Sequence, residues 1–118
     1  MSDELVIYVL MRNDLDMSTG KQVAQGGHAV TNLLFGLNTD TRLRYDYMTR
    51  SQTKIVLKVD SEQELVDVMN AAQTEGHYGT LVRDQGRIEV EAGSLTCGAI
   101  GPVVKSKARQ LLKDLKTL

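Results

Sequence analysis

The stretch LVIYVLM, from Leu5 to Met11, is an unbroken apolar run that is rich in β-forming residues. It is too short for a typical helix, and a strand with one face in water would carry a polar residue at every second position. An unbroken run of this length is typical of a strand buried on both faces, as in a parallel sheet covered by helices. The run therefore predicts an α/β protein.

The segments after Met11 alternate between helical and strand-like patterns. Further strands are predicted at 54–59, 78–82 and 95–100, and helices are predicted to begin at Thr19, near Thr41, at Ser61 and at or near Pro102. T-x-x-Q and S-x-x-E capping boxes mark two of these starts. Helices between buried-looking strands imply a mostly parallel sheet with both faces covered. We therefore expect one domain over residues 1–118, with α/β/α layers and a four-stranded, mixed, mostly parallel sheet.

Composition limits the classes of function. The chain has 118 residues, a net charge of −1 and no apolar run near the length of about 20 residues that a membrane span needs. Its single cysteine, Cys97, rules out an intramolecular disulfide and a cysteine-based zinc site. The acidic N-terminus predicts no signal peptide. We expect a cytoplasmic protein that uses no metal or cofactor.

Polar residues gather where two predicted strands end. The segment 13–21 follows the first strand, and Arg83-Asp84 follows the third. Ligands of open α/β sheets bind beyond the carboxyl ends of the strands. The first helix starts at the same edge and is predicted to carry a polar stripe and, on the opposite side, an apolar stripe. The polar stripe consists of Lys21, Gln25, His28 and Asn32, and the apolar stripe of Val23, Val30, Leu34 and Leu37. Gly26 and Gly27 suggest a close approach by another element or a ligand.

Each candidate has a simpler interpretation as well. Lys21, in the first turn of a helix, either binds an anion such as phosphate or is a solvated surface lysine. His28 is a catalyst or a surface histidine, and Asp84 is a cleft carboxylate or a turn aspartate. Arg87 is a phosphate clamp or a surface charge. Cys97 lies in an apolar strand, which favours an inert thiol over a nucleophile.

Short motifs in one order along the chain resemble the type 2 peptidyl-tRNA hydrolases. They are R-x-D-L at 12–15, Gly20-Lys21, A-Q-x-x-H-A at 24–29, K-x-V-L-K at 54–58, R-D-x-G-R at 83–87 and a strand from Gly93 that ends in I-G-P at 100–102. Each motif is short, but their joint order is specific and covers nearly the whole chain. The resemblance implies cleavage of the ester between a peptide and its tRNA.

The resemblance also implies roles for individual residues. The family's active-site lysine, helix histidine and aspartate match Lys21, His28 and Asp84. Ester hydrolysis needs an activated water and a stabilised oxyanion, so His28 or Asp84 would orient or deprotonate the water and Lys21 would hold the oxyanion or the terminal phosphate. The expected tRNA contacts are Gln25, Asn32, Arg83, Arg87, Lys105 and Arg109. A homodimer is typical of the family.

The sequence departs from the family at several of these motifs. Ile88 replaces a threonine that the family emphasises, and it has no hydroxyl. Gly26, Gln85 and Glu89 replace the usual cysteine, alanine and glutamine. These changes leave two other interpretations open, a non-catalytic RNA-binding protein of the same fold and a protein-interaction module. The basic last helix supports RNA contacts, or is a solvated helix face, and the near-zero net charge mildly favours the interaction module.

Overall fold

The computed structural model describes residues 4–85 and 93–118, which form a mixed sheet with helices on both faces. The strands are β1 (Leu5–Arg12), β2 (Thr53–Val59), β3 (Gly79–Arg83), β4 (Leu95–Val104) and β5 (Lys116–Thr117). The helices are α1 (Thr19–Gly36), α2 (Thr41–Met48), α3 (Glu62–Thr74) and α4 (Lys105–Leu112), with a short 3₁₀ turn at Leu37–Thr39. Among these residues no helix combines the length and apolar character that a membrane crossing requires.

The strand order is β3-β4-β1-β2-β5, which confirms a mixed α/β sheet but corrects its details. Only β1 and β2 pair in parallel, because β4 lies between β1 and β3 and runs against both. Most neighbouring strands are therefore antiparallel, and the prediction of a mostly parallel sheet is wrong in this respect. β1, β2 and β3 nevertheless all run in one direction. The described part also contains a fifth strand. β5 was missed because its two residues are exposed and give no pattern of burial.

β1 occupies the centre of the sheet and is buried on both faces, as its apolar run predicts. Val6, Tyr8 and Leu10 belong to one core, and the alternating residues Ile7, Val9 and Met11 belong to the other. The strand thus contributes side chains to the hydrophobic cores on both faces of the sheet.

Helices cover both faces of the sheet, which confirms the three-layer arrangement. On the Val6 face, α3 buries Leu65, Met69 and Ala72, and α4 buries Ala108 and Leu112. On the Ile7 face, α1 and α2 bury Ala29, Leu33 and Tyr47.

β4 continues through Gly101-Pro102, so the prediction that the strand stops there and Pro102 opens a helix is wrong. The Gly101–Pro102 peptide is cis and Gly101 has a φ of 122°. The register between β1 and β4 shifts between Val6 and Tyr8, opposite this dipeptide. A proline without an N–H is tolerated at such an interruption of the ladder. Helix α4 begins only at Lys105.

The buried face of α1 also differs from the prediction. Gln25, Ala29 and Leu33 are buried, whereas Val23 is 71% exposed. Hydropathy misplaced the face because the buried Gln25 amide is satisfied by a hydrogen bond to Thr96. The helix cap is Ser18 rather than Thr19, since the Ser18 hydroxyl accepts from the Lys21 N–H.

Candidate active site

A polar cleft of about 380 Å³ lies between α1 and the carboxyl end of β3. The α1 side of the cleft carries Lys21, Gln25, His28 and Asn32, and the β3 side carries Val82, Asp84 and Gln85. The polar stripe predicted for the first helix therefore shares one cleft with Asp84. Spacings of three and four residues bring those side chains to one helix face, and the topology brings the end of β3 to the same edge.

Lys21 and Asp84 form an ion pair in this cleft, between Lys21 Nζ and Asp84 Oδ1. The Asp84 side chain is 2% exposed and the Lys21 side chain 18%. The backbone of Asp84 is fixed by two hydrogen bonds: its N–H donates to Ser94 O, and its carbonyl accepts from the Gly93 N–H, each at 2.8 Å. The pair therefore sets one cation at a defined point of the cleft wall.

A buried hydrogen-bonded chain supports the floor of the cleft. Gln25 Nε2 donates to Thr96 Oγ1 at 2.7 Å, and Thr96 Oγ1 donates to the carbonyl of Val82 at 3.3 Å. Thr96 has no exposed surface and Gln25 is 5% exposed. The chain joins α1, β4 and β3, and so fixes the separation of the two cleft walls.

His28 and Asn32 line the more open part of the cleft, and both are exposed. Water has direct access to these side chains, while Asp84 is shielded. The cleft thus has a buried charged end at Lys21 and Asp84 and a solvated end at His28 and Asn32.

The other predicted contact residues lie elsewhere. Arg83 is exposed, and its Nη1 donates to the carbonyl of Gly93 at 2.8 Å. Its side chain is not part of the cleft lining, because alternate residues of a strand face opposite sides and Val82 and Asp84 line the cleft. Lys105 and Arg109 are on α4, which packs on the opposite face of the sheet from α1, so the structure does not bring them to the cleft. Arg87, Ile88 and Glu89 lie outside the described residues.

Cys97 is buried, as its apolar context indicated. Its side chain has no exposed surface, and burial raises the pKa of its thiol to about 11. Cys97 Sγ donates to the carbonyl of Gln25 at 3.3 Å, so the thiol lies between α1 and the sheet rather than in the cleft. A neutral, buried thiol is not a nucleophile.

Gly26 and Gly27 do not mark a close contact in this structure. A Cβ atom on Gly26 would meet Met11 and Val9 at ordinary contact distance, and one on Gly27 would meet nothing within 4 Å. Both glycines border a separate apolar groove of about 570 Å³ between α1 and β2.

Arg12 is a structural residue of the site region that the residue patterns did not single out. Its Nε and Nη2 donate to the Asp14 carboxylate at 3.0 and 2.6 Å, and its Nη1 donates to the carbonyl of Leu95 at 2.9 Å. The hydrogen bond from Arg12 lowers the pKa of Asp14. Arg12 thereby ties the end of β1, the start of β4 and the loop before α1 together. The spacing R-x-D was its signal in the sequence.

Comparisons with known proteins place the chain among peptidyl-tRNA hydrolases. A family model described as Peptidyl-tRNA hydrolase PTH2 matches residues 5–118. The chain is 41% identical over 111 residues to a peptidyl-tRNA hydrolase of Methanocaldococcus jannaschii, which covers 93% of this chain and 96% of the relative. It is 35% identical over 117 residues to that of Sulfolobus acidocaldarius, covering 93% and 97%. The match to the family model includes the helix and the strand that form the cleft.

Proposed function

The chain belongs to the PTH2 family of peptidyl-tRNA hydrolases, and from this membership we propose that it hydrolyses the ester between a peptide and its tRNA in the α1–β3 cleft. The observation that supports this site is the Lys21–Asp84 ion pair, which is largely shielded from water. A fixed cation in a shielded site stabilises negative charge more strongly than the same cation in bulk water.

In the proposed mechanism the ester carbonyl lies beside Lys21. Attack by water places negative charge on the carbonyl oxygen, and the Lys21 ammonium donates a hydrogen bond to that oxyanion. Asp84 holds Lys21 in position, and His28 or Asp84 orients or deprotonates the water. The products are the free peptide acid and a tRNA with its terminal hydroxyl restored.

The tRNA end would enter from the solvated side of the cleft. Asn32 is exposed there, and we assign to it, to the exposed Arg83 at the end of β3 and to Arg87 the contacts with the tRNA backbone. Gln25 supports the wall from within. Lys105 and Arg109, on the other face of the sheet, would reach only phosphates remote from the ester. Binding through phosphates should weaken as salt concentration rises.

The cellular setting follows from the substrate in this proposal. Peptidyl-tRNA arises at the ribosome, which supports a cytoplasmic location. Exposed apolar side chains on α1 and α2, among them Phe35, Tyr45 and Met48, support a homodimer. Light scattering of the purified chain tests the dimer, and a mass of one chain at all concentrations would contradict it.

An N-blocked aminoacyl-tRNA tests the activity and the site together. The purified chain should release the blocked amino acid, and Lys21→Ala should lower kcat/KM by about 100-fold or more, as expected for the loss of an oxyanion donor. Asp84→Asn and His28→Ala should also lower it. Lys107→Ala removes an exposed α4 lysine and is the matched control, with activity expected to stay unchanged.

Two results would contradict the proposal in different ways. A folded wild-type chain that binds tRNA without releasing the amino acid would indicate the non-catalytic RNA-binding protein, and Ile88→Thr would be the next variant. Equal turnover by wild type, Lys21→Ala and Asp84→Asn would instead show that hydrolysis occurs elsewhere.

A further inference from the structure

The outer side of β3 is an open sheet edge in the part of the chain that the structure describes. β3 is the terminal strand of the sheet and pairs only with β4 among the described residues. Sheet edges in proteins are usually short or carry lysine or proline, which prevents the addition of another strand. The opposite edge, β5, fits that rule because it has two residues and includes Lys116. β3 has five residues, GTLVR, without proline, and its one charged residue, Arg83, lies at its carboxyl end.

The ladder with β4 shows which backbone groups of β3 face outwards. The carbonyl of Tyr78 accepts from the Gly101 N–H, and the Asp84 N–H donates to the carbonyl of Ser94. Alternate residues of an antiparallel pair direct their N–H and C=O groups to the partner strand. The even-numbered residues therefore face β4, and Gly79, Leu81 and Arg83 direct their backbone groups away from the sheet.

This open edge runs directly into the cleft. Val82, Asp84 and Gln85, at the carboxyl end of β3, form one wall of the cleft that holds Lys21. A chain lying along β3 would therefore end beside the Lys21–Asp84 pair. The amino end of the edge lies beside Tyr78, whose hydroxyl donates to Asp40 Oδ2 at 2.9 Å.

We propose that the edge of β3 binds the peptide part of the substrate by strand addition, an inference that rests on the proposed function. The ester is at the carboxyl end of the peptide and the cleft is at the carboxyl end of β3. The bound peptide therefore runs parallel to β3, with its earlier residues towards Gly79. Five residues of β3 span about 16 Å, which is enough to pair with about four residues of peptide.

Main-chain pairing suits the chemistry of this substrate. Peptidyl-tRNAs differ in their side chains but share the N–H and C=O groups of their peptide bonds. An added strand is held mainly by main-chain hydrogen bonds, so its affinity depends little on sequence. The same contacts separate a peptidyl-tRNA from an aminoacyl-tRNA, which has no peptide bond to offer.

A series of substrates tests the proposal with the unmodified protein. The substrates are acetylated oligoalanyl-tRNAs with one to six alanines. We expect kcat/KM to rise about tenfold as the peptide lengthens to about four residues and then to stay constant. Two to three added hydrogen bonds would account for a rise of that size. N-methylation of single peptide bonds should lower kcat/KM by about fivefold at alternate positions only. The unaffected positions, whose N–H groups face away from β3, are the internal control.

A pair of variants tests the protein side. Leu81→Pro removes one outward N–H without touching the ladder to β4, whereas Leu81→Ala trims the same side chain and keeps that N–H. The proline variant should lower kcat/KM for acetyl-tetra-alanyl-tRNA about fivefold below that of the alanine variant. Both should cleave acetyl-alanyl-tRNA equally.

The outcomes separate the two proposals. Cleavage of all the substrates at one rate, regardless of length and methylation, would overturn strand addition and leave the proposed function standing. Cleavage of none of them would overturn both. If Leu81→Pro does not fold, the alternation on N-methylation in the wild-type protein decides the question alone.

Discussion

At the residue scale, the thiol of Cys97 shows how burial changes reactivity. With a pKa of about 11, the thiolate fraction at pH 8 is about one thousandth, and the side chain has no exposed surface. Iodoacetamide at pH 8 should leave the native protein unmodified for hours and should alkylate Cys97 rapidly in guanidinium chloride. Mass spectrometry measures both rates. Rapid alkylation of the native protein would show that β4 opens readily.

Single residues also show what the sequence reveals about the site. Lys21 and Asp84 were predictable as a group, because a helix start and a strand end at the same sheet edge bring them together. The Arg12–Asp14 contact has a local signal in the R-x-D spacing, but the bond from Arg12 to the Leu95 carbonyl, 83 positions away, leaves no local pattern. The buried Gln25–Thr96 bond was hidden for the same reason.

At the element scale, the start of α1 gives a second prediction. The Ser18 hydroxyl accepts from the Lys21 N–H, so Ser18→Ala should lower the free energy of unfolding by about 1 kcal/mol. Thr19→Ala, one residue later, is the control and should cost about 0.5 kcal/mol or less. Urea unfolding followed by circular dichroism measures the difference. A larger loss for the Thr19 variant would place the cap at Thr19 after all.

The continuation of β4 gives a third prediction. Gly101 has a φ of 122°, and a Cβ atom there would approach the Val6 carbonyl oxygen to 2.6 Å. Because that contact is with backbone, Gly101→Ala should lower the free energy of unfolding by about 3 kcal/mol. Gly27→Ala, in a helix with open space around it, should raise it by about 0.5–1 kcal/mol. Thermal and urea unfolding of both variants check these opposite signs.

Elements with strong periodicity or a strong cap were predictable, and elements that depend on pairing were not. β1, β2 and α3 lie within one or two residues of their predicted bounds, because apolar runs and the Ser61 cap are local signals. The last residues of β4 were assigned to a helix, since proline commonly opens one. Only pairing with Val6 and Leu5 makes them a strand.

At the scale of the whole molecule, the position of β1 gives a prediction for hydrogen exchange. β1 is paired on both sides and buried on both faces, whereas β5 is a short exposed edge. Amide exchange measured by NMR should therefore be slowest for Ile7, Val9 and Leu10, at rates set by global unfolding. Lys116 and Thr117 should exchange much faster. Similar rates for the two strands would show that β1 opens locally.

The pairing of β1 with β4 has a consequence for synthesis on the ribosome. Residues 5–12 emerge before their second neighbour in the sheet, which comes from residues 95–104. One edge of a strongly apolar strand thus stays without its partner until residues 95–104 have been translated. At about 5–20 residues per second, that interval lasts between about five and twenty seconds. During that time the nascent strand is a natural target for chaperones that bind exposed apolar segments.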